Sequence, residues 1–246
     1  MQIKTEFTMI GAMRTFVAAP NSEDKFPAIL IYSDIFQLSV SLLSFCKRLA
    51  SYGFVVAAPE IFHRHETPGT VLEQNDEGKA RGTKNQQATT IEEFDADAQA
   101  VIEFLQNHPS AEPENIGAGG FCIGGHLAFR AAFNPAVKAA ACFYPSWLHN
   151  GKLGQGEQAN SLARASEIKG NLLIIFGTMD TLISEEARTQ IIAALNQAKV
   201  KTSIELFNAD HGFMRDDRPA FDGECVDQAF AAMLEHFDEV FSGEEG

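Results

Sequence analysis

The sequence predicts an α/β fold, a mostly parallel central sheet with helices on both faces. Three observations predict it. Short apolar or β-branched runs alternate with longer stretches of helical spacing, Gly, Pro or Asp stands at most junctions, and two runs, AILIY at 28–32 and LLIIF at 172–176, are apolar throughout. Alternation of this kind calls for crossover connections and hence parallel pairing, and continuous apolar runs fit strands buried on both faces.

Taken in order, strands are expected at 13–18, 28–33, 54–57, 116–121, 139–143, 172–176 and 202–207. Helices are expected between them at 39–52, 91–107, 123–133, 184–198 and 223–241. Two stretches, 61–90 and 146–169, are polar, rich in Gly, Asn, Gln and charge, and lack a sustained period. They read either as functional excursions over the sheet or as surface segments and poorly periodic helix. The closing FDEVFSGEEG, with four acidic groups, is expected to fray after the last helix.

The chain has 246 residues, 19 Lys+Arg against 33 Asp+Glu and a formal charge of −14. A surface of that sign opposes duplex or anionic-membrane binding, so neither nucleic acid nor membrane is expected as a partner. The length suffices for one domain, 1–246, with a sizeable core. Twenty Phe against three Tyr and one Trp suit an apolar core or pocket. Cys46, Cys122, Cys142 and Cys225 form no C-x-x-C pair, and neither a disulfide framework nor a metal cluster is expected. Lys4 and Glu6 interrupt what would be a signal peptide's apolar stretch. No apolar run reaches membrane-spanning length, so a reducing, cytoplasmic setting is the expectation.

The chemistry concentrates in Gly120-Phe121-Cys122-Ile123-Gly124, which matches a nucleophile elbow with cysteine in place of serine, between an apolar strand and a helical run. A nucleophile on so sharp a turn takes a strained backbone, and glycines two before and two after remove colliding side chains. The helix that follows aims its free N–H groups at the thiolate and at an oxyanion formed on attack. Such a thiol needs a base and an orienting acid. Asp180, in the turn after 172–176, and His211, just past 202–207, follow in the order that an elbow hydrolase requires, each at a strand's C-terminal edge.

The elbow and the order nucleophile, acid, histidine resemble the dienelactone hydrolase family of the α/β-hydrolase fold, and the likeness covers nearly the whole chain. Tyr32-Ser33-Asp34-Ile35-Phe36, Ala58-Pro59-Glu60-Ile61-Phe62, Pro68-Gly69-Thr70, the run 76–81 and Asp210-His211-Gly212-Phe213-Met214-Arg215 extend it. The resemblance implies hydrolysis of a small ester or lactone, of the carboxymethylenebutenolidase type, through a thioester on Cys122, with no cofactor and no metal. His211 would act as base and then acid, with Asp180 holding its tautomer. The backbone N–H groups of Ile35 and Ile123 stand where the family builds its oxyanion hole. The family also sets a carboxylate, usually glutamate, beside the resting thiol. Asp34 matches it but is one methylene shorter, which leaves it as thiol activator, as a partner acting through water, or as a loop stabiliser.

The family's type substrate, a small carboxylated lactone, is held by two arginines. Arg215 matches one and Arg81 falls within a residue of the other, so both are candidates for carboxylate recognition, with Tyr144 and Trp147 as candidate pocket aromatics. His63 and His65 read as loop residues, His126 as packed against a neighbouring strand, and Cys46, Cys142 and Cys225 as core. The protein is expected to be a monomer or weak homodimer. Two rival functions stay open, a thioesterase or general carboxylesterase with the same triad, and a non-catalytic binding protein on the same fold. Peptidase activity ranks last, because a thiolate suits activated acyl groups better than amides.

Overall fold

The computed structural model describes residues 1–243. The elements are β1 (Ile3–Ile10), β2 (Met13–Pro20), β3 (Phe26–Tyr32), α1 (Val40–Ser51), β4 (Val55–Pro59), α2 (Asp76–Ala88), α3 (Ile91–Gln106), β5 (Ala111–Phe121), α4 (Ile123–Ala131), β6 (Val137–Phe143), β7 (Asn171–Gly177), α5 (Glu185–Ala198), β8 (Thr202–Phe207) and α6 (Gly223–Ser242). One eight-stranded sheet has the order β1-β2-β4-β3-β5-β6-β7-β8. Pairing is parallel from β4 to β8 and antiparallel only at β1–β2 and β2–β4.

The runs AILIY and LLIIF form the bodies of β3 and β7, and Ile29, Leu30, Ile31, Ile174, Ile175 and Phe176 are fully buried there. Each such side chain contributes roughly 1.5–3 kcal/mol through its removal from water. Helix starts are fixed by side-chain caps. Ser39 accepts from the N–H of Leu42, Ser184 from that of Ala187 and Asp222 from that of Cys225, while Thr90 and Glu93 close a reciprocal capping box on α3.

Several expectations are corrected. Strand β1 precedes the first expected strand; it is an edge strand whose side chains are mostly exposed, although Ile3, Phe7 and Met9 alternate with Lys4, Glu6 and Thr8 along it. β5 begins at Ala111, upstream of 116, because Ala111 pairs with Phe26. The excursion 61–90 contains α2, whose buried residues are Gly78, Gly82, Asn85 and Gln86, small or polar side chains that leave no apolar stripe. The excursion 146–169 holds a 3-10 turn at Leu162–Glu167. Helix α6 agrees with the expected helix 223–241 to within a residue and ends at Gly243, φ 72°, a left-handed cap that glycine adopts readily; positions 244–246, part of the stretch expected to fray after it, lie outside the described residues. No helix among the described residues is long and apolar enough to cross a membrane.

Candidate active site

Five neighbouring parallel strands, β3, β5, β6, β7 and β8, each release a polar residue just beyond their C-terminal ends: Asp34, Cys122, Ser146, Asp180 and His211. That edge is where open parallel sheets gather their ligands.

Cys122 is the N-cap of α4 with φ 60° and ψ −118°, a strained conformation for a residue with a side chain. The glycines around it are fixed by contact. A Cβ on Gly120 would lie 2.2 Å from the carbonyl O of Gly124, and one on Gly124 would lie 2.3 Å from that of Ser33. Elbow and Asp34 loop therefore touch backbone to backbone. Helix α2 presses on the same loop from the other side, since a Cβ on Gly82 would come within 2.6 Å of the Ile35 carbonyl O. Within that loop Phe36 N–H donates to Asp34 Oδ1 (2.8 Å) and Gln37 N–H to the Asp34 carbonyl (3.2 Å). The N–H groups of Ile35 and Ile123 make no hydrogen bond among the described residues.

Asp180 and His211 meet because the loops after β7 and β8 are stitched together. Thr178 N–H donates to the Phe207 carbonyl (2.7 Å), Met179 N–H to that of Ala209 (3.1 Å), and Gly177 packs against Ala209 where a Cβ would lie 2.3 Å from its O. Asp180 Oδ2 then lies 2.7 Å from His211 Nδ1, while Oδ1 accepts the N–H groups of Leu182 (2.7 Å) and Ile183 (3.0 Å). Burial alone would raise the Asp180 carboxyl, but the His211 hydrogen bond and charge outweigh it and hold the group below its ordinary value. His211 Nε2 is buried with no hydrogen-bond partner. Burial works against a charge on this ring, yet the sulfur of Cys122 and the carboxylate of Asp180 prevail, and its pKa is pushed up to about 10. Cys122 is thus electrostatically coupled to His211, but its hydrogen bond in this state goes to Ser146 Oγ, 3.2 Å from Sγ.

The remaining candidates fall into different places. Asp34 bonds Arg215 Nη1, and Asp217 grips the other edge of the same guanidinium at Nε (2.9 Å) and Nη2 (2.6 Å). Burial opposes the Arg215 charge, but these two carboxylates raise its pKa further above the ordinary value. Arg81 forms a bidentate pair with Glu66, and Asn85 donates to the same carboxylate. Both arginines expected to receive a substrate carboxylate are therefore held by internal ones. Asp34 makes no hydrogen bond to Cys122; its carboxylate fixes the loop and Arg215. The Tyr144 ring is buried edge-on to His211, centroids 4.9 Å apart, with its hydroxyl lacking a hydrogen-bond partner. Burial and then the nearby charges of Asp34 and Cys122 drive that phenol well up. Trp147 is half-buried against the core.

His63 and His65 bond Asp97 (3.1 Å) and Thr89 (3.0 Å). Cys46 and Cys142 are buried, whereas Cys225, expected in the core, is half-buried at its margin on α6. His126 is buried, with polar partners in the loop after β6. Sequence reasoning passed over Ser146. It opens an aperiodic segment, and its only signal is a position three residues beyond an apolar strand.

An open groove of about 650 Å³, lined in part by Phe36, Met179, Asp210, Arg218 and Phe221, borders this edge. Phe36, Met179 and Asp210 are the chain neighbours of Ile35, Asp180 and His211. The much smaller pocket touching Asp34 and Arg215 has a volume of about 20 Å³.

A mostly parallel sheet with a strained cysteine elbow and an acid–histidine pair on adjoining strands defines an α/β-hydrolase. The chain belongs to the dienelactone hydrolase family, whose model matches residues 13–241. It is 34% identical to a Saccharomyces cerevisiae protein named "Putative carboxymethylenebutenolidase", over 92% of this chain and 86% of that one. It is 28% identical to the carboxymethylenebutenolidase of Pseudomonas sp. strain P51, over 85% and 83% of the two chains. A crystal structure titled "Putative Dienelactone Hydrolase", from Klebsiella pneumoniae, shares the fold with a TM-score of 0.85 at 23% identity, covering 97% of this chain and 99% of its own. The protein is a dienelactone hydrolase-like enzyme acting on carboxylic esters.

Proposed function

We propose that the enzyme hydrolyses small esters or lactones through a thioester on Cys122, with His211 as acid and base and Asp180 as its orienting carboxylate. One observation carries the reading: His211 is bonded to Asp180 through Nδ1 while Nε2 is left unpartnered, buried and coupled to the charge of Cys122. With Nδ1–H donated to Asp180, Nε2 is the atom that exchanges protons. The raised basicity of the ring suits His211 to take the proton of the Cys122 thiol.

Attack of the Cys122 thiolate on the ester carbonyl gives a tetrahedral oxyanion, for which the N–H groups of Ile35 and Ile123 are the candidate donors. His211 Nε2–H then protonates the departing alkoxide, leaving the thioester. Neutral His211 next takes a proton from water, the hydroxide adds to the thioester, and the thiolate leaves as the acid product is released.

The arginine pairs favour an uncharged acyl group over a carboxylated one. Arg215 and Arg81 each hold an internal carboxylate, and the net charge of −14 repels an anion at long range. The groove beside Phe36 and Met179 offers the space for such a substrate.

A panel of small lactones and aryl esters, charged and neutral, with mass detection of the acyl adduct, tests both points. Turnover with an adduct on Cys122, lost in Cys122→Ala, is the expected result. Undiminished turnover in Cys122→Ala overturns the mechanism, and strict preference for carboxylated substrates overturns the substrate reading.

A further inference from the structure

Ser146 touches Cys122 twice. Its Oγ lies 3.2 Å from Sγ, and its N–H donates to the Cys122 carbonyl at 3.0 Å. The residue is 5% exposed, and Sγ is the only hydrogen-bond partner of its hydroxyl among the described residues. Nearby Tyr144 and Trp147 have φ of 36° and 60°, so the segment carrying Ser146 is strained and must be held from behind.

The hold is a polar chain, buried from Ser146 to Arg130 and half-exposed at Asp95, whose direction follows from donor chemistry. Arg130 grips Asp95 through Nε (2.8 Å) and Nη2 (2.5 Å), and its Nη1 donates to the Ala159 carbonyl and to Ser161 Oγ, both at 3.0 Å. A guanidinium only donates, so Ser161 Oγ accepts from it, and a carbonyl only accepts, so His126 Nδ1 carries the ring proton and donates it to the Ser146 carbonyl at 3.0 Å. In the neutral ring Nε2 therefore accepts, and the Ser161 O–H donates to it, 2.6 Å away. Burial, with the charge of Arg130 acting in the same sense, pushes His126 down to about 3, which keeps the ring neutral as this chain requires.

We propose that Ser146 is a catalytic residue whose hydroxyl donates to the Cys122 thiolate, and that His126, Ser161, Arg130 and Asp95 are positioning residues that aim it. The assignment rests on Cys122 being the nucleophile. Ser146 keeps its proton throughout: its bond to sulfur weakens as the thioester forms and returns as the thiolate is expelled. A hydrogen bond to the charged sulfur enlarges the thiolate fraction and makes the thiolate a better leaving group in the second half-reaction.

Titratable and charged groups stand around this sulfur. His211 and Tyr144 couple to it directly, Asp180 stands behind His211, and Asp34 and Arg215 stand behind Tyr144. None is altered by substitution at Ser146.

The test is the pH profile of Cys122 alkylation by iodoacetamide, read on the Cys122 peptide by mass spectrometry without any ester present. Ser146→Ala is expected to raise the midpoint by about one pH unit and to slow release of a Cys122 acyl adduct about tenfold, the loss of one hydrogen bond to a charged group. Ser146→Thr, which keeps the hydroxyl, is expected to restore the wild-type midpoint. If Ser146→Ala does not fold, Ser146→Gly takes its place, since glycine relieves backbone constraint. An unmoved midpoint in the hydroxyl-free variant, or a Thr variant that behaves like it, overturns the assignment. Undiminished ester turnover in Cys122→Ala instead removes the nucleophile reading beneath it, a separate outcome because alkylation is followed without substrate.

Discussion

The Asp34 carboxylate is bonded to the Arg215 guanidinium, joining the loop after β3 to the loop after β8 across 181 positions of sequence. Both side chains are 8% exposed. This pair stands at the candidate active-site edge and binds the loop that carries the Ile35 N–H.

A buried pair broken on one side leaves an uncompensated charge. Arg215→Met is expected to cost about 3–5 kcal/mol in urea unfolding, and Asp34→Asn added to it should recover a large part. Additive losses in this double-mutant cycle would show that the two residues do not depend on one another.

The same substitution bears on substrate charge. Arg215→Met is expected to lower kcat/KM for a neutral and a carboxylated aryl ester by similar factors, because its guanidinium serves Asp34 and Asp217. A loss confined to the carboxylated ester would assign Arg215 to substrate recognition.

Gly124 is a contact point between backbones. Gly124→Ala sets a Cβ 2.3 Å from the Ser33 carbonyl O and 2.6 Å from that of Tyr32, where no flexible side chain can yield. Overpacking of about 1–3 kcal/mol or more follows, and displacement of the Ile35 loop should lower kcat by about 10²–10³. Thermal unfolding and steady-state kinetics on one preparation check both, and wild-type kcat would refute the second.

His211 links stability to alkaline pH. Its folded pKa of about 10 lies above the ordinary 6.5, so the folded state binds the extra proton. Its stabilising contribution is complete below pH 6.5 and disappears as pH rises through about 10. The stability difference between wild type and His211→Gln should therefore shrink across that window, and Cys122→Ala should move the end of the window to lower pH. A pH-independent difference would contradict the coupling.

His126 acts on the acid side. Its folded pKa of about 3 lies below 6.5, so the unfolded chain takes up the proton first. Stability tied to the neutral ring is complete above pH 6.5 and falls as pH drops towards 3. Wild type should lose stability over that range by more than His126→Asn does, as read from urea midpoints; parallel curves would show that the ring is not held neutral.

Legibility in the sequence followed physical range. The elbow was readable because its sterics are local: Gly120, Cys122 and Gly124 constrain one turn. The central strands were readable because burial on both faces demands an unbroken apolar run. Edge strand β1 and helix α2 were not, since the first buries little and the second packs through Gly78, Gly82, Asn85 and Gln86.

The sequence by itself determined the fold class, the cysteine elbow, and the order in which an acid and a histidine follow it. Only the tertiary structure decided their partners: Asp180 with His211, Asp34 and Asp217 with Arg215, Glu66 with Arg81, and Ser146 with Cys122. The reason is sheet order. Neighbouring strands such as β3 and β5 are distant in the chain, and which loop ends meet depends on register and on backbone contacts such as Gly124 against Ser33. A residue's chemistry is written in its type, but its protonation and its role depend on what the fold sets beside it.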